Sequence, residues 1–75
     1  MTVKEKMKDI YLDLDIRRFA ERYFDKSGSW LYHKFDRENI DGEGKKEDFT
    51  PEQLQTLKMG LLDFADRIRQ TADKL

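Results

Sequence analysis

The sequence predicts an all-α domain of four helices, the third short, and three observations carry that expectation. Apolar residues return every three or four positions from Val3 to Phe24 and again from Leu54 to Leu75, the spacing of one helix face. Thr50-Pro51-Glu52-Gln53 combines an N-cap threonine, a proline at the first helical position and a glutamine placed to close a capping box. Between the two periodic regions, Asp25-Lys26-Ser27-Gly28-Ser29 is built from residues that favour turns.

Taken in order, Val3, Met7, Ile10, Tyr11 and Leu14 form the stripe of a first helix. Ile16, Phe19, Ala20, Tyr23 and Phe24 form a second stripe out of phase with it, because extending the first would place Arg17 and Arg18 in the core. A break near Asp13 to Asp15 resolves the conflict, and either aspartate can cap the second helix. One unbroken helix through Leu12, Ile16, Phe19 and Tyr23 is the competing reading, and the break fits better. The third element runs roughly from Ser29 to Arg37, with Leu31 and Phe35 on one face and Ser27 or Ser29 as its N-cap. Its aromatics suit a strand, but strict alternation is missing, so helix is preferred. Asn39 to Asp48, with Asp41-Gly42 and Glu43-Gly44, reads as an exposed loop or small hairpin. The last helix should extend from Pro51 to about Lys74, long and amphipathic. Gly60 in its middle costs about 1 kcal/mol relative to alanine, which suggests that another backbone passes close by.

The chain of 75 residues reads as a single helical domain over 1–75. A domain this small buries only about 60% of the surface its unfolded form exposes, so a thin core is expected. With no cysteine, neither a disulfide framework nor a thiolate zinc site can staple it. The N-terminus lacks the apolar stretch of a secretory signal, and no apolar run approaches the ~20 residues that cross a bilayer. A soluble, cytoplasmic protein with no membrane partner is therefore expected.

Basic and acidic residues nearly cancel, 15 against 16, which argues against indiscriminate nucleic-acid binding. Their distribution is uneven. Residues 15–37 carry six basic and four acidic side chains, net +2, whereas residues 38–55 carry two and six, net −4.

Catalytic equipment is not evident, and the chain is expected not to be an enzyme. His33 is the one histidine, with no carboxylate or thiolate partners at metal-ligand spacing and no serine or cysteine placed for activation. Asp41-Gly42-Glu43-Gly44 lacks the twelve-residue ligand order of a calcium loop. The glycines are wrongly spaced for a phosphate loop. No metal, cofactor or small-molecule substrate is expected.

The stretch Ile16–Phe35, IRRFAERYFDKSGSWLYHKF, carries the functional expectation. A helix ends, a tight turn follows, and a second short helix opens, with Ala20 as the small residue that lets the two approach. Leu31 and Phe35 would be buried. Gly28, Ser29, Tyr32 and His33 would occupy the free face, with Lys26 at its mouth and Lys34 and Arg37 beyond. In a helix-turn-helix the second helix lies in the major groove with its N-terminal residues nearest the bases. Hydroxyl and imidazole groups can read base edges while lysine and arginine neutralise phosphate. Lys26, Ser27, Ser29, Tyr32, His33, Lys34 and Arg37 are thus the expected contacts to double-stranded DNA, and the expected role is that of a small transcriptional or accessory regulator.

Ser27-Gly28-Ser29-Trp30-Leu31-Tyr32-His33-Lys34-Phe35 resembles the recognition-helix pattern S-R-S-T-L-Y-R-x-L of resolvase/invertase-type domains. More closely, Tyr23 through Phe49-Thr50-Pro51-Glu52 and the closing helix is similar to a small uncharacterised Bacteroidales family. That family's pattern runs roughly Y-F-G-K-S-x-S-W-L-Y-Q-R, a short loop, then F-T-x-E-E and a long amphipathic helix. The likeness covers about two thirds of the chain and implies a helical fold without an activity. Three departures stand out. Asp25 replaces the turn glycine, Gly28 replaces the usual arginine, and Ala20 lies one residue further from the turn than a standard helix-turn-helix places it.

Trp30, Tyr32, Phe19, Tyr23, Phe24 and Phe35 are otherwise ordinary core candidates, at least four of them expected to be buried, Trp30 as a packing anchor. Leu54, Leu57, Leu61, Phe64 and Ile68 fall near heptad positions, so the 51–75 helix can serve as the seam of a homodimer or simply face the core. The alternative function is a protein-interaction module using the acidic Glu38–Glu52 region or an exposed aromatic patch.

Overall fold

The computed structural model describes residues 2–40, the last four through their backbone, and 49–75. The loop or hairpin expected before Asp48 lies outside the described residues from 41 onward. The described residues are helical throughout their regular elements: α1 (Val3–Lys6), a 3₁₀ turn (Tyr11–Asp13), α2 (Ile16–Phe19) continuing directly as a π-helical segment (Ala20–Phe24), α3 (Gly28–Ile40) and α4 (Pro51–Asp73).

Local chemistry accounts for most of the boundaries. Thr2 caps α1 by a full capping box with Glu5. The first stripe does not form one continuous α-helix as expected. After Met7 the chain tightens into turns, with the Ile10 and Tyr11 amides both donating to the Met7 carbonyl at 2.9 and 2.8 Å. The tightened path still delivers Met7 to the core, with Val3, Tyr11 and Leu14 packed against it, and leaves Ile10 exposed.

The break before the second helix is present, and Asp15 is the aspartate that caps it, its Oδ1 accepting from the Arg18 amide at 3.1 Å. Ser27 caps α3, its hydroxyl oxygen accepting from the Trp30 amide at 3.2 Å. At 13 residues α3 is longer than expected, opening one residue earlier and running on to Ile40. The expected cap of α4 also forms: the Thr50 hydroxyl accepts from the Gln53 amide and the Gln53 side chain accepts from the Thr50 amide.

Among the described residues the core is Met7, Ile16, Phe19, Ala20, Leu31, Phe35, Phe49 and Leu57. Phe35 and Leu31 are its largest fully buried side chains. The Phe35 ring meets Tyr11 edge-on at 5.4 Å and Phe49 at 5.3 Å between centroids, tying α3 to the 3₁₀ turn and to the residues that lead into α4. A second aromatic group, Phe19, Tyr23, Phe24 and Trp30, runs from α2 through the π segment to the first turn of α3. The aromatics are less buried than expected: of the six, only Phe19 and Phe35 are buried, Tyr23, Phe24 and Trp30 are half-buried, and Tyr32 is exposed. So few helices cannot enclose that many rings.

Gly60 has its explanation in side chains, not in a neighbouring backbone. A Cβ there would lie 2.8 Å from Phe19 Cζ and 2.9 Å from Tyr23 Cγ, so α4 crosses α2 on those two rings. The Tyr23 hydroxyl then donates to Asp63 Oδ2 at 2.6 Å and accepts from Arg67 Nη1 at 3.2 Å, fastening α4 at the crossing.

Asp25 shows why glycine suits its position. It ends the π segment with φ 58° and ψ 40°, a left-handed conformation that costs most L-residues about 1–2 kcal/mol and aspartate less. Asp25→Gly should raise stability by about 0.5–1 kcal/mol, read as a higher midpoint in thermal or urea unfolding. An unchanged or lower midpoint would mean that the aspartate side chain offsets the strain.

Candidate functional site

The expected site residues gather around the N-terminal half of α3, and α2 determines how they are presented. Ala20 is fully buried. The π segment beyond it closes its hydrogen bonds over one residue more than an α-helix does, which absorbs the additional residue between Ala20 and the turn. The Asp25 and Lys26 amides both donate to the Ala20 carbonyl, closing the turn that sends α3 back across α2.

Gly28 does not belong to the free face where the sequence reading put it. It is buried against α2, and a Cβ would stand 2.9 Å from Arg17 Cα and equally near Arg17 Cβ and Cγ. The missing side chain is a condition of the α2–α3 contact. An arginine here has no room, so the departure from the serine-arginine-serine pattern follows from packing.

Ser29, Tyr32 and His33 are exposed along the outward side of α3, while Leu31 and Phe35 point inward. Ser27 is exposed, and its hydroxyl oxygen already accepts the cap bond from the Trp30 amide. Lys26 and Lys34 converge on the half-buried Trp30, their ammonium nitrogens 5.8 and 5.2 Å from the ring centre, within reach of its negative face. The Phe24 ring packs against it, tilted, at 5.2 Å between centroids. Trp30 is packed against the core as expected of a packing anchor, but it is only half-buried, so part of it borders the site. Arg37 lies in α3 by its backbone, and its side chain is outside the described residues.

On the far flank, Lys4 pairs with Asp36 at 3.1 Å and lies over the Tyr11 ring at 5.0 Å. The hydrogen bond to Asp36 holds the Lys4 ammonium above the ordinary lysine range, and burial pushes the Tyr11 phenol up. The pair binds α1 to α3 and offsets a carboxylate on that flank of the helix.

The Tyr23–Asp63–Arg67 group escaped the sequence reading because its members are 40 and 44 positions apart. It borders an open cleft of about 500 Å³ lined by Leu14, Arg18, Arg22, Phe64 and others. Among the described residues, no set of His, Asp or Glu side chains is arranged to hold a metal ion, and no helix is long and apolar enough to cross a membrane.

Fold and site together define a small all-α domain whose third helix presents an outward polar row edged by a lysine-flanked tryptophan. The chain belongs to the family described as Domain of unknown function (DUF5053), which it matches over residues 3–75. No curated protein and no solved structure matches it.

Proposed function

We propose that this domain binds double-stranded DNA, with α2 and α3 acting as a helix-turn-helix and α3 entering the major groove as part of a small transcriptional or accessory regulator. The observation that carries this reading is the open side of α3: Ser29, Tyr32 and His33 are exposed, and the exposed Lys26 lies over the ring of the neighbouring Trp30. Hydroxyl, phenol and imidazole groups suit base edges, and an ammonium beside them suits phosphate. Two features support this reading: α3 packs tightly on α2 where Gly28 meets Arg17, and a closed turn joins the two helices, as a helix-turn-helix requires. Gly28 stands where the resolvase/invertase-type pattern has an arginine.

The test is fluorescence anisotropy on a random-sequence duplex, followed by selection of bound sites from a DNA library. Binding should appear at low salt and weaken steeply as salt rises, since each phosphate contact adds about 0.9 to the log–log slope. Lys26→Glu and Lys34→Glu should each lower affinity at least about tenfold, the scale of a lost and reversed phosphate contact. His33→Ala should alter site preference more than non-specific affinity. Absence of any shift at low salt, or binding indifferent to both lysine reversals, overturns the reading.

A second reading, a protein-interaction module, is favoured by one observation. Met59 and Leu62 on α4 are each more than half exposed, a surface that DNA does not use. The acidic Glu38–Glu52 region lies largely outside the described residues.

A further inference from the structure

We infer that the cleft between α2 and α4 binds a small organic phosphate that carries a flat ring, a nucleoside monophosphate being a simple molecule of that class. The site is separate from the DNA contacts proposed above, because among the described residues no α3 side chain lines it. Its basic groups are Arg18 on α2, Arg22 on the π segment and Arg67 on α4. Arg18 and Arg22 stand four positions apart, a spacing at which like charges on a helix repel. Both are exposed. Neither forms an ion pair among the described residues, although Glu21 lines the same cleft. Asp15, the other carboxylate of the lining, accepts the Arg18 amide through Oδ1. Asp63, which is not part of the lining, accepts the Tyr23 hydroxyl.

Arg67 is held in place. Its Nη1 donates to the Tyr23 hydroxyl at 3.2 Å, and its guanidinium carbon lies 5.5 Å from the centre of the Phe64 ring. The rest of its fork has no acceptor among the described residues, and such a fork matches the oxygens of a phosphate. Ring surface comes from Phe19, which is buried, and from Tyr23 and Phe64, which are half-buried. Aromatic side chains beside a few charged groups are the make-up of small-ligand sites, and the cleft's volume of about 500 Å³ falls within their usual range of about 300–1,000 Å³. A flat ring can stack on such side chains. The anionic end is assigned as phosphate by charge. Three arginines line the cleft against two carboxylates, and a phosphate monoester brings roughly 1.5–2 negative charges on acceptor oxygens. Because the cleft is open, a dissociation constant on the order of 0.1–1 mM is expected.

Amide chemical shifts of the full chain, followed by NMR while AMP is added from about 0.05 to 10 mM, span that range. The largest shifts should fall at residues 14–23 and 64–67. AMP should bind at least about tenfold more tightly than adenosine, which lacks the charge, or inorganic phosphate, which lacks the ring. Arg22→Gln and Arg67→Gln should each raise the AMP dissociation constant at least about fivefold. Arg67 also holds Tyr23, so the exposed Arg22→Gln decides the matter if Arg67→Gln loosens the fold. Arg69→Gln removes the same charge from α4 at a residue that pairs with Asp66 outside the cleft, and it should leave the constant unchanged. No shift at 10 mM AMP, adenosine or phosphate alone binding as tightly as AMP, or equal losses in Arg22→Gln and Arg69→Gln overturns the inference. Duplex affinity lost in Arg22→Gln with no AMP binding also overturns it, and makes these arginines part of a DNA surface.

Discussion

Phe35→Ala is expected to remove most of the domain's stability. The ring is fully buried and joins Tyr11 to Phe49, so its loss leaves a cavity bordered by three separate segments. Truncating a buried phenylalanine costs about 3–5 kcal/mol, whereas a domain of this length holds about 4–11 kcal/mol in all, and a thin core belongs at the low end. The melting midpoint should fall by at least about 15 °C, followed by the helical circular dichroism signal. A drop of only a few degrees would mean that Tyr11, Phe49 and Leu31 close over the gap. Tyr32→Ala, one helix position from Leu31 but exposed, should stay within about 0.5 kcal/mol of the parent, which makes it the control for loss of an aromatic as such.

The second large effect is expected at Gly28→Arg. The new Cβ would meet Arg17 Cα at 2.9 Å, and a backbone atom cannot rotate away as a side-chain tip can. Either α3 shifts off α2 or its first turn unwinds, at a cost of about 1–3 kcal/mol for overpacking, with repulsion from the Arg17 guanidinium added. Gly28→Ala meets the same Cβ contact without the charge, so it should fall between the parent and Gly28→Arg. Unfolding midpoints in urea, compared at constant slope, separate these outcomes. If Gly28→Arg is as stable as the parent, the crossing is looser than the structure indicates. An arginine at this position would then be open to a role on DNA.

These two positions show where sequence reasoning reaches and where it stops. Thr50 with Gln53, Asp15 and Ser27 announce helix starts because a cap is a contact across three residues, and three residues are visible in a string. The α4 stripe is legible for the same reason. The outward placement of Ser29, Tyr32 and His33 follows from the inward pair Leu31 and Phe35 by helical period alone. Gly28 and Gly60 are different. Each is silent locally, and each is required by an atom at least eleven positions away, Arg17 for one and the rings of Phe19 and Tyr23 for the other. Trp30 packs against the core as its size suggests, yet stays half-buried. The number of rings that a small bundle can enclose is not written at any one of them.

By itself the sequence determined the all-helical class, the capped starts at Asp15, Ser27 and Thr50, and the apolar side of α4; it did not determine that the first stripe breaks into α1 and a 3₁₀ turn or that α3 runs on to Ile40. What it determined is short-range, governed by hydrogen bonds to neighbouring amides and by periodicity. Only the tertiary structure decided how the helices cross, which aromatics stay half-open, and that Arg67 lines one cleft with Arg18 and Arg22. Those depend on the summed volume and reach of side chains that are distant in the chain. The lysine-flanked tryptophan beside the outward row of α3 and the arginine-lined cleft between α2 and α4 are products of that second level.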